Sequence, residues 1–320
     1  MILTAVSLDE VKAARERIAK TAVRTPLLRL PVDTGINQEV FLKLENLQPI
    51  GSFKIRGAAN AMALASDEAL AKGVYTASAG NMAQGVAWCA RERGIPCKVI
   101  VPDQAPKAKL DAIERLGGEV IKLPFEKWWQ IMLDHGYTGM DGLFIHPFAD
   151  QGVMAGNGTI ALEIFDDLGD VDAILVPYGG GGLACGIAAA ARAINPKTRV
   201  YAVEVETAAP VATSMAAGKP TPVTYTRTFV DGIGSAGVSE EIWPLVQELL
   251  AGVFVVSVAQ IATAVKLLVE RSRIVAEGAG ASSVAAALRG NVDARRVVCI
   301  VSGGNIDSEK LATILRGEIP

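Results

Sequence analysis

The sequence feature that most constrains the fold is an alternation of short apolar runs with helical patterns. In the first half of the chain, apolar runs at 73–77, 97–101 and 120–123 are separated by helical patterns at 83–93 and 106–116. Strands joined by helices of this length form βαβ units, whose strands are parallel. We therefore predict an α/β fold with mostly parallel, twisted sheets flanked by helices.

A second alternating series occupies the second half of the chain. It begins with a helical pattern near 158–165 and continues with predicted strands at 173–177, 200–205 and 296–301 and a helix at 183–194. Two such series predict two domains. The cleft between them is the place where a ligand pocket is expected.

The composition excludes several classes of protein. Of the 320 residues 50% are hydrophobic, but no uninterrupted apolar run reaches membrane-spanning length. The first residues lack the basic-then-apolar pattern of a secretory signal. The net charge of -3, with acids and bases mixed along the chain, provides no nucleic-acid-binding patch. We expect a cytoplasmic protein that binds neither nucleic acid nor a membrane.

Cysteine and histidine usage argues against metal and hydrolase chemistry. The 4 cysteines are scattered without a CxxC pair, so we interpret them as buried or free thiols. The 2 histidines, His135 and His146, are too few for a His-rich metal centre. No GxSxG elbow accompanies them. We expect His146, which precedes Pro147, to be structural.

Lys54 is the strongest candidate for a reactive group. An apolar, strand-like run at 40–44 precedes it, Phe53 and Ile55 flank it, and an alanine-rich helical run at 58–65 follows. A lysine in apolar surroundings near a helix start is disfavoured as a cation, so its pKa is expected to fall toward the nucleophilic range. The alternative is a surface lysine whose stem packs on its neighbours.

The segment 78–85 lies between a predicted strand and a predicted helix. Backbone N–H groups at a helix N-terminus attract anions, and Ser78, Asn81 and Gln84 add polar groups. The carboxylate of a small substrate would fit there. An ordinary helix-capping loop is the alternative.

Four consecutive glycines, Gly179–Gly182, also join a strand to a helix. They expose successive N–H groups without Cβ atoms, which suits a phosphate at a helix dipole. The run lacks the Lys-Ser/Thr of a nucleotide-binding P-loop. A dinucleotide fold is a competing hypothesis because Glu204 and Glu206 end the next strand, although Cys185 stands where glycine or alanine is expected.

Ser302 begins a third loop of this kind. The segment Ser302–Asn305 follows the predicted strand at 296–301. In open α/β sheets, ligands bind at the carboxyl ends of the strands. Alone, Ser-Gly-Gly-Asn is also typical of a simple turn.

Together, and in this order, these segments resemble the fold-type II pyridoxal-phosphate enzymes, whose fold is tryptophan-synthase-β-like. The similarity points to the threonine/serine dehydratases (ammonia-lyases) and serine racemases, and it extends from residue 25 to residue 305. The matching segments are Ser52–Gly57, Ser78–Asn81, Gly179–Leu183 and Ser302–Asn305.

The resemblance implies a role for each segment. Lys54 would form the Schiff base with the aldehyde of pyridoxal 5'-phosphate, and Phe53 would pack against the pyridine ring. Asn81 would hydrogen-bond the 3-oxygen of the cofactor, and Ser302 would face the pyridine nitrogen. The phosphate would be held by consecutive backbone N–H groups, those of Gly179, Gly180, Gly181, Gly182 and Leu183.

The reaction implied by the resemblance is β-elimination of water from a β-hydroxy amino acid such as threonine or serine. The substrate amine would displace Lys54, whose amine would then take the Cα proton as general base. The product would hydrolyse to a 2-keto acid and ammonia. A neutral Ser302 hydroxyl does not favour a protonated pyridine nitrogen, which suits elimination. The substrate carboxylate is expected on the loop that contains Ser78, Ala79, Asn81 and Met82.

Three positions depart from the family pattern. Ala79 stands where the racemases have a second serine, which disfavours racemisation. Met82 stands where histidine is usual, which we interpret as a change in substrate contacts. Pro210 stands where the family's divalent-cation site, built on Glu204, has an acidic ligand, so we expect no metal.

The resemblance also implies the domain organisation. We expect residues 1–69 and 149–320 to form a large cofactor-binding domain and residues 70–148 a small mobile domain, with a homodimer as the assembly. Trp128 and Trp129 are expected to pack in the core of the small domain. If they line the cleft instead, a bulkier 3-hydroxy amino acid becomes the substrate.

Several alternatives stay open from the sequence. Within the same cofactor class, they are a β-replacement synthase and an amino-acid racemase. From a different class comes a nucleotide-binding dehydrogenase that uses the glycines, which would leave the stretch around Lys54 unexplained. A non-catalytic relative would carry the same binding residues. Formation of a 2-keto acid and ammonia would distinguish elimination from replacement.

Overall fold

Two separate sheets organise the chain in the computed structural model, which describes residues 3–31 and 38–320. The strands of these residues are β1 (Leu27–Arg29), β2 (Glu39–Lys43), β3 (Val74–Ala77), β4 (Cys97–Pro102), β5 (Gly118–Leu123), β6 (Leu143–Phe144), β7 (Ala173–Pro177), β8 (Arg199–Val205), β9 (Gly252–Val256) and β10 (Arg296–Ile300).

Helices connect these strands and cover both sheets. The α-helices of the described residues are α1 (Leu8–Ile18), α2 (Lys54–Leu64), α3 (Asp67–Leu70), α4 (Asn81–Arg93), α5 (Lys107–Arg115), α6 (Phe125–Leu133), α7 (Gln151–Leu168), α8 (Gly182–Ile194), α9 (Pro210–Ala217), α10 (Trp243–Leu249), α11 (Val258–Leu267), α12 (Gly278–Leu288) and α13 (Ser308–Leu315). A short 3-10 turn (Glu45–Leu47) and a π-helical segment (Leu268–Ser272) complete the helical elements.

The strand order confirms the predicted α/β class. The larger sheet has the order β1-β2-β10-β7-β8-β9, and the smaller has the order β5-β4-β3-β6. Every pairing is parallel except the one between β1 and β2. Because parallel strands point the same way, the loops that follow β7 and β10 emerge at one edge of the larger sheet.

Apolar side chains fill both faces of the larger sheet. On one face of the sheet, Ile174 and Val176 of β7 belong to an apolar cluster shared with α7 and α8. On the other face, Ala173 and Leu175 of the same strand belong to a cluster shared with α11 and α12. This alternation along one strand follows from the two-residue period of β structure. A sheet buried on both faces needs apolar residues at consecutive positions, which is why β7 reads as an unbroken apolar run.

Helix α7 begins at Gln151, before the predicted start near 158. The Asp150 side chain caps it by accepting a hydrogen bond from the Val153 N–H at 2.8 Å. Its glycines lower helix propensity and so hid the first two turns from the sequence pattern. One of them is needed for packing, since a Cβ on Gly156 would lie 2.4 Å from the Arg56 carbonyl oxygen.

The two tryptophans of α6 have different environments. Trp128 packs against the apolar cluster that contains Tyr75 and Ile131, with its ring 5.6 Å from that of Phe125. Trp129 is 43% exposed. The predicted core packing is therefore confirmed for Trp128 and wrong for Trp129.

Two further sequence predictions can be compared with the fold. All four cysteines are free and buried, as predicted. Within residues 3–31 and 38–320, none of the helices combines the length and the apolar character needed to cross a bilayer.

Candidate active site

The turn before Lys54 is joined to the loop after β10. The Phe53 N–H donates to the Ser302 carbonyl oxygen at 3.0 Å, and the Gly304 N–H donates to the Gly51 carbonyl oxygen at 2.8 Å. Gly51 has a φ of 71°, a left-handed conformation that glycine adopts without strain. The fold thus brings the predicted Lys54 and Ser302 segments together at the carboxyl edge of the larger sheet.

The Lys54 amine lies in a protected position at the start of α2. Its Nζ donates a hydrogen bond to the Pro147 carbonyl oxygen at 2.6 Å and lies 5.2 Å from the centroid of the Phe53 ring. Burial lowers the pKa of Lys54 to about 8, because removing the ammonium group from water disfavours its charge. The structure therefore gives Lys54 the lowered pKa predicted from its apolar neighbours.

Helix α4 packs directly on Lys54. A Cβ on Gly85 would lie 3.3 Å from the backbone carbon and oxygen of Lys54. In the loop before the helix, the Gly80 N–H donates to the Ser78 hydroxyl at 3.2 Å. Ser78, Ala79 and Asn81 are all half-buried. The free N–H groups at this helix start lie beside the lysine, so an anionic group of a substrate could bind there.

The side chain of Met82 does not face this loop. It is 1% exposed and belongs to the same apolar cluster as Ile55 and Val86. Altered substrate contacts through this methionine side chain stay a prediction. Contact through the backbone N–H of Met82 stays a prediction.

Asn81 contacts two residues of the opposite side of the cleft. Its Nδ2 donates to Glu277 Oε1 at 2.8 Å, and its Oδ1 accepts from Asn305 Nδ2 at 2.8 Å. Burial and the neighbouring Asp231 raise the pKa of Glu277 to about 7, although the hydrogen bond from Asn81 opposes this. Sequence reasoning missed Glu277. The small residues that follow it at the start of α12 were the available signal.

The glycine loop lies between β7 and α8. Gly181 has a φ of 91°, and a Cβ there would lie 2.8 Å from the hydroxyl of the buried Tyr178. In the described part of the chain, the N–H groups of Gly179, Gly180 and Gly181 donate to no backbone carbonyl. These unpaired N–H groups at the start of a 13-residue helix form a site for an anion.

Residues 147 and 148 connect the lysine to the glycine loop. The carbonyl oxygen of Pro147 accepts the Lys54 hydrogen bond. The next residue, Phe148, packs on the glycines, because a Cβ on Gly180 would lie 2.2 Å from the Phe148 ring. The predicted lysine, asparagine, glycine and serine segments thus lie next to one another in the fold.

Glu204, the candidate cation ligand, is occupied by backbone contacts. Its carboxylate oxygens accept from the N–H groups of Val211 at 2.8 Å and Ala212 at 3.0 Å, at the start of α9. Burial raises the pKa of Glu204 to about 7, and the two backbone hydrogen bonds oppose this shift. In this structure the carboxylate caps a helix.

The two histidines lie together with Glu241. Their rings are stacked with centroids 4.4 Å apart, and His135 Nε2 lies 2.9 Å from a Glu241 oxygen. Both nitrogens of His146 are bonded, since Nδ1 accepts from the Ala149 N–H at 2.8 Å and Nε2 contacts the Met132 carbonyl at 3.2 Å. Burial lowers the pKa of His146 to about 3. These contacts fit the predicted structural role of His146 and leave it no free nitrogen for a metal.

Comparison with known proteins identifies the family. A family model described as "Pyridoxal-phosphate dependent enzyme" matches residues 18–303. The chain belongs to this family. The recognition based on the four segments is confirmed, and the dehydrogenase hypothesis loses its support.

Similar pyridoxal-phosphate enzymes include dehydratases and racemases. The L-threonine ammonia-lyase of Thermotoga maritima is 38% identical over 315 residues, which cover 97% of this chain and 78% of the relative. The catabolic L-threonine dehydratase TdcB of Escherichia coli is 39% identical over 315 residues, covering 97% and 96%. The structure of maize serine racemase superposes with a TM-score of 0.89 at 35% identity, covering 98% of each chain.

The residues of this pyridoxal-phosphate enzyme fit its cofactor. The unpaired N–H groups of the glycine loop can receive a phosphate. Lys54 offers an amine with a lowered pKa for attachment to the aldehyde. Ser302 is 3% exposed and offers a neutral hydroxyl for the ring nitrogen.

The glycine loop provides a first testable prediction. A Cβ on Gly182 would lie 2.4 Å from the Phe148 carbonyl oxygen, so Gly182→Ala requires the backbone there to move. We expect the dissociation constant for pyridoxal phosphate to increase about tenfold or more, since overpacking of this kind costs about 1–3 kcal/mol. Titration of the apoenzyme with pyridoxal phosphate, followed by absorbance, measures the effect.

Gly237→Ala is the matched control, because a Cβ at Gly237 meets no atom within 4 Å. It should leave the affinity for pyridoxal phosphate unchanged. Equal affinity of the Gly182→Ala variant and the wild type would show that the loop does not hold the phosphate.

Proposed function

We propose that this enzyme eliminates water from a small β-hydroxy amino acid, threonine or serine, and releases a 2-keto acid and ammonia. Its 38% and 39% identity to two proteins named for L-threonine deamination or dehydration supports the proposal. The observation that carries it is the Lys54 amine, whose pKa is lowered to about 8 and whose Nζ donates to Pro147, next to the Phe148 ring that packs on the glycine loop. An amine in this state can serve as a base near neutral pH.

Each segment of the cleft has a defined task in this proposal. Bound pyridoxal phosphate supplies an electron-withdrawing ring that makes the Cα–H of an attached amino acid acidic. Lys54 would hold the cofactor through Nζ, and the same amine would take the Cα proton of the substrate. Phe53 would pack against the ring, and the Ser302 hydroxyl would be the partner of the ring nitrogen. The phosphate would be held by the N–H groups of Gly179, Gly180, Gly181, Gly182 and Leu183.

The loop at the start of α4 binds the substrate carboxylate in this proposal. The Ser78 hydroxyl and the N–H groups of Asn81 and Met82 lie at the positive end of a 13-residue helix. Ala79 carries no group that could accept or donate a proton on the opposite face of the substrate. Elimination is therefore favoured over racemisation.

We propose that residues 70–148 form a small domain that closes over the cleft. Within the described residues, β3, β4, β5 and β6 pair only with one another. Among the polar contacts that join this part to the remainder are Lys109 Nζ to Asp231 at 2.6 Å, His135 to Glu241 at 2.9 Å, and Asn81 to Glu277 at 2.8 Å. Closure would exclude water from the reacting atoms.

The molecular partners follow from the same proposal. The substrate is a small amino acid, and no nucleic acid takes part. We also propose a homodimer, for which the resemblance to the dehydratases and racemases is the support.

The decisive experiment is product analysis with the holoenzyme. We expect L-threonine to give 2-oxobutanoate and ammonia in equal amounts, and L-serine to give pyruvate and ammonia. Derivatised keto acids and an ammonia assay measure both products, with the D-enantiomers run in parallel. Chiral chromatography of the remaining amino acid follows racemisation.

Two other results would redirect the proposal. A new β-substituted amino acid, formed when a thiol is added, would indicate a β-replacement synthase. Conversion of L-serine to D-serine without keto acid would indicate a racemase, an activity named in the maize relative.

A further inference from the structure

A carboxylate lies beside the amide that is predicted to contact the cofactor. Glu277 precedes α12, and its Oε1 accepts from Asn81 Nδ2 at 2.8 Å. Its backbone N–H donates to the Gly303 carbonyl oxygen at 3.0 Å. A Cβ on Gly303 would lie 2.4 Å from Glu277 Oε1. The carboxylate therefore occupies the space directly over the loop that contains Ser302, and only glycine at position 303 allows it to lie there.

The hydrogen bonds around Asn81 determine which end of its amide faces α12. An ionised carboxylate only accepts hydrogen bonds, so beside ionised Glu277 the amide presents Nδ2, as it does in this structure. At the other end, Asn81 Oδ1 accepts from Asn305 Nδ2, which also donates to the Ile50 carbonyl oxygen at 2.9 Å. The carbonyl of Ile50 fixes the Asn305 amide in the same way. The Glu277 carboxylate at one end and the Ile50 carbonyl at the other both accept hydrogen bonds. Together they favour one orientation of the Asn81 and Asn305 amides.

Among residues 3–31 and 38–320, this orientation leaves one N–H of Asn81 without a partner. Nδ2 carries two hydrogens, and Glu277 accepts one of them. An N–H donor is what an oxygen substituent of a pyridine ring requires. If the Asn81 amide were reversed, its oxygen would face that substituent and repel it.

We propose that Glu277 is a positioning residue that orients the Asn81 amide to donate to the 3-oxygen of bound pyridoxal phosphate. The inference rests on the proposed role of Asn81 in the cleft. Glu277 also ties α4, in the proposed small domain, to α12, so the same contact aligns the loop that receives the substrate. The charged groups that act on Glu277 are Asp231, which raises its pKa, and Lys109, which lowers it.

A double-mutant cycle on cofactor affinity tests this inference. Glu277→Leu removes the acceptor, and we expect the dissociation constant for pyridoxal phosphate to rise about tenfold, the effect of losing one hydrogen bond that involves a charged group. Glu277→Gln keeps an acceptor oxygen and should restore most of the affinity. Asn81→Ala should weaken binding as much as Glu277→Leu. The double variant Asn81→Ala/Glu277→Leu should be no weaker than Asn81→Ala alone.

Controls separate positioning from loss of structure. Thermal unfolding of each apoenzyme reports folding, and Glu277→Ala is the second variant if Glu277→Leu does not fold. Glu206→Leu removes a glutamate that accepts from the Val258 N–H and should leave the affinity for pyridoxal phosphate unchanged. A merely structural role for Glu277 would not be rescued by glutamine and would not depend on Asn81.

The possible failures can be told apart. Unchanged affinity in Glu277→Leu and Glu277→Ala, or additive losses in the double variant, would overturn the positioning role while the wild type still binds pyridoxal phosphate and releases keto acid. A wild type that binds the cofactor, shows the coupling and yet forms no keto acid would overturn the proposed reaction only. A wild type that does not bind pyridoxal phosphate would overturn both.

Discussion

Lys54→Ala is expected to lower kcat for keto acid formation by about 1,000-fold or more, since a positioned general base contributes about 10²–10⁴-fold. In the proposed mechanism the variant loses the single amine that both attaches the cofactor and takes the Cα proton. Steady-state formation of 2-oxobutanoate from L-threonine measures the loss. In the wild type, borohydride treatment followed by peptide mass analysis should find the cofactor on Lys54.

Lys54→Ala should still bind pyridoxal phosphate without a covalent bond, because the glycine loop is unchanged. Lys72→Ala is the control, since this side chain is 68% exposed and its partner Asp141 lies at the surface. Full activity in Lys54→Ala, or a borohydride label on another lysine, would show that Lys54 is not the reactive group.

The parts of the site predicted from sequence are those that local features determine. The alternating apolar runs specified the strands, and the carboxyl ends of parallel strands specified where the loops lie. The apolar neighbours Phe53 and Ile55 predicted the lowered pKa of Lys54, and the Phe53 ring lies near its amine in space as well as in the chain. The glycines opened a helix as expected, since their N–H groups are those that a helix start leaves unpaired.

The remainder depends on contacts between distant parts of the chain. Glu277 lies 196 positions from Asn81, and Lys43 lies 120 positions from Glu163. From the sequence alone, an acidic residue that will be buried against such a partner cannot be distinguished from one that stays at the surface. The pairing is decided by how α12 and α7 pack on the rest of the fold, which periodicity does not specify.

Arg56→Met is expected to destabilise the protein by about 3–5 kcal/mol, the range for breaking a buried ion pair from one side. Arg56 is 1% exposed; its Nε lies 2.8 Å from Glu45 and its Nη1 lies 2.7 Å from Glu163. Lys43 completes the network with its Nζ 2.5 Å from Glu163. Removing Arg56 leaves two buried carboxylates for one ammonium group. Urea denaturation of the apoenzyme measures the loss.

Arg192→Met is the matched control for Arg56→Met. Arg192 pairs with Glu248 at 3.0 Å, but both side chains are more than half exposed, at 53% and 54%. Exposed pairs of this kind contribute about 0–1 kcal/mol. A loss in Arg56→Met no larger than that of Arg192→Met would show that the network does not stabilise the fold.

The pH dependence of the Arg56→Met effect provides a second test of the network. In the wild type, burial alone would raise the pKa of Glu45. Arg56 and the other hydrogen-bonding and charged partners together have a larger opposite effect, so the pKa of Glu45 is lowered. A carboxyl group with a lowered folded-state pKa contributes stability that is lost as the pH falls.

In Arg56→Met the effect of burial on Glu45 dominates and the pKa of Glu45 rises. Protonation then removes the unpaired charge, so acidification becomes stabilising at this site. The difference in unfolding free energy between wild type and variant should therefore be smaller at about pH 5 than at about pH 7.5. A difference that grows on acidification would mean that the buried carboxylates are not what Arg56 stabilises.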